Sequence, residues 1–593
     1  MFKKILIANR GEIAVRIIRA CREMDIMSVA ICSEADKDAL HAQLADQTIC
    51  IGPAPAKDSY LDMERVLGAA MAVGADAIHP GFGFLSENSK FVRMCEKCNI
   101  TFIGPSAEII DRMGNKSAAR KTMMDAGVPV VPGTADFTKY IALGDSFAAG
   151  YSDNALFKKG QEGAYTNVMA EQFKLVGGGD FKIPFTNDNI GGLLFGGQQN
   201  PDFGPRLYFN GAAPVQVVGV PTTEVFNPAI ASAGPYNNTG VPGAKSFHLL
   251  SPTYGSAAGL ANGTANPYYV RFAPNGSTSV LAYAMSQTPT FFSLWIGNND
   301  VLGYATTGGD GSNPITPATG VAGVGFDGTY TALVNTLTSA GAKGVVANIP
   351  YVNSIPFFTT VPYNPLVLTQ SSVEALNGVQ GYARYNGGLD VALAKGLISA
   401  EEKAARTIVF KVNGTDGKPF NNPVVIVDEY LTTINLGGGV ILPNYRQATI
   451  DDFLVLKSKA DSLNQTFFQS GNGSAIPLAD RFVLSKNEIT ELRTATDAYN
   501  ATIKSLAASK GLAFVDTNAI MKQIANGGIT ANGYKLTSTF VSGGAFSLDG
   551  VHPSPRGYAL IANKFLEAIN LKYGSNFKGV DLSNYPIMFP KTL

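Results

Sequence analysis

Apolar and polar positions alternate in two rhythms along the first hundred residues. Lys4-Ile5-Leu6-Ile7-Ala8 is a short apolar run closed by Asn9-Arg10-Gly11. From Glu12 to Met24, Ile13, Val15, Ile17, Ile18 and Cys21 fall largely on one helical face. Strand-like runs recur at Met27–Cys32, Asp76–His79 and Ile100–Ile103. Strands alternating with helical periods predict parallel βαβ units, whose ligands sit at the carboxyl ends of the strands. The alternation resumes, more widely spaced, with runs at Tyr140–Leu143, Phe291–Ile296, Gly344–Ile349 and Leu512–Asp516. Helices are predicted over Ser485–Ser509, opened by Ser485 and Glu488 at capping-box spacing, and over Tyr558–Ile569. The intervening stretches, about 200–285 and 351–480, are rich in Gly, Pro, Asn and Ser and read as ordered insertions over the active-site rim.

Composition divides the chain. Of the 593 residues, 32 of the first 134 are charged, against 60 of the following 459, and all five cysteines lie at or before Cys98. Two unrelated modules joined end to end, 1–133 and 134–593, explain such a break, with the junction inside Val131–Asp136. A deliberate fusion or a gene-assembly error accounts for it better than one evolved two-function enzyme. The formal charge is zero, which argues against a dedicated nucleic-acid binder. No apolar run approaches the roughly 18 residues of a membrane span, and Met1–Val15 does not read as a secretion signal, so a cytoplasmic location is expected. Cys95 and Cys98 are half of a metal motif without a second pair and read as two thiols on an amphipathic helix. Oligomeric state is not legible.

In the first module, Ile7-Ala8-Asn9-Arg10-Gly11-Glu12-Ile13-Ala14, Cys50-Ile51-Gly52-Pro53-Ala54 and His79-Pro80-Gly81-Phe82-Gly83-Phe84 closely resemble the amino-terminal domain of biotin carboxylase. Ile103-Gly104-Pro105 and Met113-Gly114-Asn115-Lys116 continue the resemblance to about Gly133. It implies a Rossmann-like, pre-ATP-grasp sheet fragment, with Lys116 as a vestigial ATP contact and the His79-Pro80-Gly81 loop as one wall of a cleft. The opposite wall should follow Gly133 and is not found there. Val176-Gly177-Gly178-Gly179-Asp180 lacks the basic residues of a nucleotide lid, so carboxylase activity is not expected.

The second module offers different chemistry. Gly144-Asp145-Ser146 ends a buried run, where a serine can stand exposed at the sheet edge beside its own N–H. A serine nucleophile needs a base, most often histidine. This module has only His248 and His552. His248, with no carboxylate within ten residues, reads as a surface loop residue; Asp549, three residues before His552, can orient its ring. Gly297-Asn298-Asn299-Asp300 ends a central strand, and the Asn299 amide can donate to an oxyanion.

These three blocks resemble those of the SGNH (GDSL) hydrolases in a large-insertion branch whose members are often exported or surface-anchored. The resemblance implies a three-layer α/β/α, flavodoxin-like domain and a serine esterase or lipase acting on small-molecule, lipid or sugar esters without metal or cofactor. It implies catalytic Ser146, His552 and Asp549, with an oxyanion hole from the Ser146 N–H, Asn299 and a glycine, Gly191 or Gly192. Phe203, Tyr208, Phe209, Phe226, Tyr236, Tyr254, Tyr268 and Tyr269 could line an acyl pocket, but more often such residues pack an insertion's own core. Neither module shows a convincing metal-ligand cluster. The competing reading is a binding or display protein for carbohydrate or a partner, with a vestigial triad.

Overall fold

The computed structural model describes residues 2–114, 135–415, 417–456 and 465–593. The chain divides into two compact units, residues 1–132 and 133–593. Both are mixed α/β units built on parallel sheets.

The first unit holds five strands: β1 (Lys4–Ile7), β2 (Met27–Ser33), β3 (Gln47–Gly52), β4 (Ala77–His79) and β5 (Thr101–Phe102). Every neighbouring pair is parallel, in the order β3-β2-β1-β4-β5. Leu6 and Ala8 pack with Val29, Ile31 and Ile78 on one face, while Ile5 and Ile7 pack with Ala14, Ile18 and Ala77 on the other. That period-two split needs cover on both sides, which the amphipathic helix Gly11–Glu23 helps to provide. Helix Ser89–Lys97 buries Cys95 against the sheet and ends at Cys98, so the two thiols belong to one helix and its cap. Burial pushes the Cys95 thiol up to about 12, as expected of an inert packing group.

The second unit is organised by β6 (Tyr140–Gly144), β7 (Asn238–Gly240), β8 (Phe291–Trp295), β9 (Lys343–Ala347) and β10 (Ala513–Val515). They form one parallel sheet in the order β7-β6-β8-β9-β10, the 2-1-3-4-5 arrangement of doubly wound folds. Ile141, Leu143, Phe292, Leu294 and Val346 face one core, and Tyr140, Ala142, Phe291, Trp295, Val345 and Ala347 the other. Helix Pro555–Tyr573 covers the second face with Tyr558, Phe565 and Ile569. Helix Lys486–Ser509 packs Leu492, Tyr499 and Ile503 into the first.

One boundary differs from expectation. The stretch 200–285 is not simply an insertion, because it contributes the edge strand β7 and buries Tyr236, Tyr254, Tyr268, Tyr269 and Phe272 in the main core. The strand is only three residues long and bounded by Asn, Gly and Pro, so its turn-like composition hid it. The stretch 351–480 does build its own core, around Leu389, Phe410, Val424, Val425 and Leu454.

Strand-end glycines allow a close turn. A Cβ at Gly144 would lie 2.5 Å from the Trp295 carbonyl oxygen, and one at Gly240 would lie 2.5 Å from the Ala149 nitrogen. These contacts let the short helix Ser146–Ala149 fold back over the ends of β6 and β7. Gly144→Ala is expected to cost about 1–3 kcal/mol through overpacking, read as a lower urea midpoint at unchanged slope.

Candidate functional site

In a doubly wound sheet the crevice opens where neighbouring strands lead their connections away in opposite directions. In the second unit that point lies between β6 and β8. Asp145 and Ser146 leave β6 there, and Gly297 to Asn299 leave β8 beside them. Gly297 takes φ +119°, and a Cβ there would meet Ile349 at 2.5 Å, so the turn requires glycine.

Ser146, Asp549 and His552 come together. The Ser146 Oγ lies 2.8 Å from His552 Nε2, and His552 Nδ1 lies 2.8 Å from Asp549 Oδ2. Asp549 Oδ1 accepts the N–H groups of Val551 and His552 at 2.9 and 2.8 Å and the Ser547 hydroxyl at 3.0 Å. Its Oδ2 also accepts the Asn154 N–H at 2.9 Å. Burial pushes the Asp549 carboxyl up, but the His552 charge and these hydrogen bonds outweigh it and hold it at about 2. The imidazole is flanked by Tyr151 and Phe147, with centroids at 4.7 and 5.5 Å. A carboxylate fixed as an anion on Nδ1 leaves Nε2 free to take the serine proton.

Asp145 supports the turn rather than the relay. It is buried, accepts the Phe147 N–H at 3.0 Å and the Asn298 amide at 2.9 Å, and is pushed up to about 6, chiefly by burial. An apolar cavity of about 80 Å³ adjoins this corner, lined in part by Phe147, Asn298, Val551 and Pro553.

The predicted oxyanion donors fare differently. Asn299 lies at the rim, and its amide donates to the Ala244 carbonyl at 3.0 Å, leaving its second N–H for another acceptor. The Gly191 N–H is taken by Asp188 Oδ1 at 3.1 Å, and Gly192 packs against the Phe203 carbonyl. Both glycines belong to a turn organised by Asp188, which also accepts the Ile190 and Thr222 N–H groups. Gly243 was not anticipated. It follows β7, the other neighbour of β6, at φ +80°, and among the described residues its N–H has no acceptor. Asp300 accepts the Ser246 N–H and hydroxyl at 2.7 Å each, which with the Asn299–Ala244 bond pins the Gly243 loop to helix Asn298–Thr306. The signal was present in Thr239-Gly240-Val241-Pro242-Gly243, a strand closed by a turn, but the stretch reads as insertion.

His248 is not on a surface loop. It stacks on Tyr254 at 4.4 Å, its Nδ1 accepts the Lys245 N–H, and burial together with Lys245 pulls it down to about 4. Among the described residues, Glu429, Asp480 and Glu488 bring carboxylate oxygens within 4.8 Å of one another, a grouping that the sequence reading did not single out. Their separation in sequence concealed the grouping.

The first unit has its own crevice, between β1 and β4. The Asn9 side chain donates to the Pro80 and Phe82 carbonyls at 2.8 Å each, and the Gly81 N–H donates to His79 Nδ1 at 3.1 Å. Arg10 lies over the rings of Tyr60 and Phe84, at 5.3 and 5.6 Å. A Cβ at Gly81 would come within 2.7 Å of Asn9 and Ile13, so the loop closes over β1 only with glycine. Lys116 lies outside the described residues.

Comparison with known proteins bears directly on this first crevice. The sequence model of the family described as biotin carboxylase, N-terminal domain, matches residues 1–110. Biotin carboxylase 1 of Bacillus subtilis (strain 168) is 62% identical over 134 residues, 23% of this chain and 30% of the relative. The biotin carboxylase of Halalkalibacterium halodurans is 58% identical over 134 residues, with the same coverage. Among solved structures, the biotin carboxylase subunit of a pyruvate carboxylase is 54% identical over 23% of this chain and 30% of its own, at a TM-score of 0.22. The chain spans about 30% of the length of these curated relatives.

These findings carry a correction. The family model and the relatives are biotin carboxylases, ligase-type enzymes rather than ester hydrolases. They overturn the SGNH/GDSL assignment of residues 137–593, and with it the esterase or lipase activity and the hydrolase label. The family match ends at residue 110, ahead of the Ser146 site.

Proposed function

We propose that the first unit is the amino-terminal module of a biotin carboxylase carried without a complete carboxylation site. The observation that carries this reading is a 62% identity confined to 30% of the relative's length. A nucleotide must be held from both sides of its cleft, and Asn9, Arg10 and the His79–Gly83 loop furnish one side. The full-length chain is therefore expected to release no phosphate from ATP in a biotin- and bicarbonate-dependent manner. ATP at 1 mM is expected to leave the melting temperature of the first unit unchanged. Biotin-dependent phosphate release above the no-biotin control would overturn the reading.

A second reading rests on the two 2.8 Å contacts that link Ser146, His552 and Asp549. In it, Ser146 is a nucleophile toward an electrophilic centre, His552 Nε2 receives its proton and Asp549 holds the ring. The Ser146 N–H, the Gly243 N–H and the Asn299 amide, each following one of three adjacent strands, are the donors assigned in this reading to the charge that develops on the electrophile. Asn299→Ala is expected to slow covalent capture of a fluorophosphonate about 100-fold, measured as a second-order labelling rate.

A further inference from the structure

A second chemical centre lies away from Ser146, where the stretch 351–480 meets the long helix Lys486–Ser509. Glu488 is the third residue of that helix and completes its capping box, its Oε2 accepting the Ser485 N–H at 2.6 Å. The side chain is fully buried, and its other oxygen, Oε1, has no hydrogen-bond partner. A buried carboxylate oxygen left without a donor costs more than most folds tolerate. Asp480 and Glu429 come from separate segments to place oxygens within 4.8 Å of Glu488 and of each other.

Among the described residues, none of these three carboxylates has an ion pair, and Arg481, beside Asp480, lies over the Phe482 ring. Arg446 is committed to Asp428 and Asp452, at 2.5 and 2.7 Å, and Lys486 to Asp451 at 3.3 Å. Glu491 is bonded by the Tyr304 and Tyr430 hydroxyls. Gly309 has no side chain where one would collide with Glu488 Oε1, and its φ of +81° suits glycine.

We propose that Glu429, Asp480 and Glu488 form a calcium site that fastens the 351–480 region to the sheet unit at the Gly308–Gly309 turn. An all-carboxylate set drawn from a turn, a short 3-10 helix and a helix first turn, open to water on the Glu429 side, suits calcium's irregular six-to-eight oxygen shell better than the strict octahedron of magnesium. Three carboxyl groups with oxygens within 4.8 Å of one another crowd like charge whenever they are ionised. A divalent cation removes this repulsion and supplies the partner Oε1 lacks. Gly308 and Gly309 follow helix Asn298–Thr306, so the cation would brace the element that carries Asn299.

The test is calorimetric titration of CaCl2 into the chelator-stripped full-length chain, with thermal melting in parallel. One equivalent of calcium is expected to bind with a Kd below about 100 μM and to raise the melting temperature of the second unit by several degrees. Glu429→Gln, at an exposed position, and Asp480→Asn are each expected to weaken binding at least tenfold. Asp451→Asn, outside the cluster, is expected to leave it unchanged. Glu488→Gln should abolish binding; because it also alters a helix cap, the two other variants decide the matter if it does not fold. Absence of saturable calcium binding up to 5 mM, tighter binding of magnesium than calcium, or unaltered calcium affinity in both Glu429→Gln and Asp480→Asn would overturn the proposal.

Discussion

Ser146→Ala abolishes covalent labelling of the full-length chain by a fluorophosphonate, and His552→Ala lowers the labelling rate by at least 10³-fold. The expectation follows from the distances alone. An isolated serine hydroxyl is a poor nucleophile near neutral pH, and it becomes a good one when a base takes its proton as attack proceeds. Here the His552 imidazole stands 2.8 Å away and is held from behind by a buried carboxylate. Wild-type labelling is read by intact mass as one adduct on the peptide carrying Ser146. A wild-type chain that reacts no faster than Ser146→Ala would reduce the three residues to a packing motif and favour a display or binding role.

Asp549→Asn is expected to lower the same rate by about 10³- to 10⁴-fold while the chain remains folded. The amide nearly matches the carboxylate in shape, so the acceptor bonds from Val551, His552 and Ser547 can persist through its oxygen. What changes is the atom that faces Nδ1 and accepts the Asn154 N–H: an amide NH2 there gives up the Asn154 bond and forces the ring into the tautomer that carries its proton on Nε2, pointed at the serine. A ring so arranged cannot accept. Asp549→Asn with a normal melting curve and an undiminished labelling rate would show that His552 does not act as the base. The low carboxyl value of about 2 adds a stability consequence. Because the folded value lies below the unfolded one, this contribution is complete above the ordinary carboxylate range and fades only as pH falls toward 2.

Strand rhythm made most of both sheets legible. Runs such as Tyr140–Leu143 and Phe291–Ile296 are long, apolar and flanked by turn residues, and they emerge as neighbours in register. The Asp549–His552 pairing was legible for a local reason, since a three-residue spacing nearly fixes the geometry of one turn. The edge strand Asn238–Gly240 was not, because its three residues have the composition of a turn and gain strand character only from pairing with β6. The same misreading drew attention to Gly191 and Gly192, where the Gly191 N–H is already bonded to Asp188, and passed over Gly243 beside the end of β7. Glu429, Asp480 and Glu488 were invisible for the opposite reason: each is an ordinary acidic residue, and only the tertiary fold makes them neighbours. The likeness of the first unit to biotin carboxylases rests on long strings, whereas the hydrolase assignment rested on short blocks of three to five residues.

The loop that follows Ser146 is clasped by the far end of the chain. Ser152 donates to the Pro553 carbonyl, the Asn154 N–H to Asp549, and the Tyr558 hydroxyl to the Tyr151 carbonyl, all across about four hundred residues. Closing so large a loop is slow, and during synthesis it must wait until the segment carrying Asp549 to Tyr558 has left the ribosome. A chain that stops short of Asp549 therefore lacks both the imidazole that meets the Ser146 hydroxyl and the carboxylate behind it.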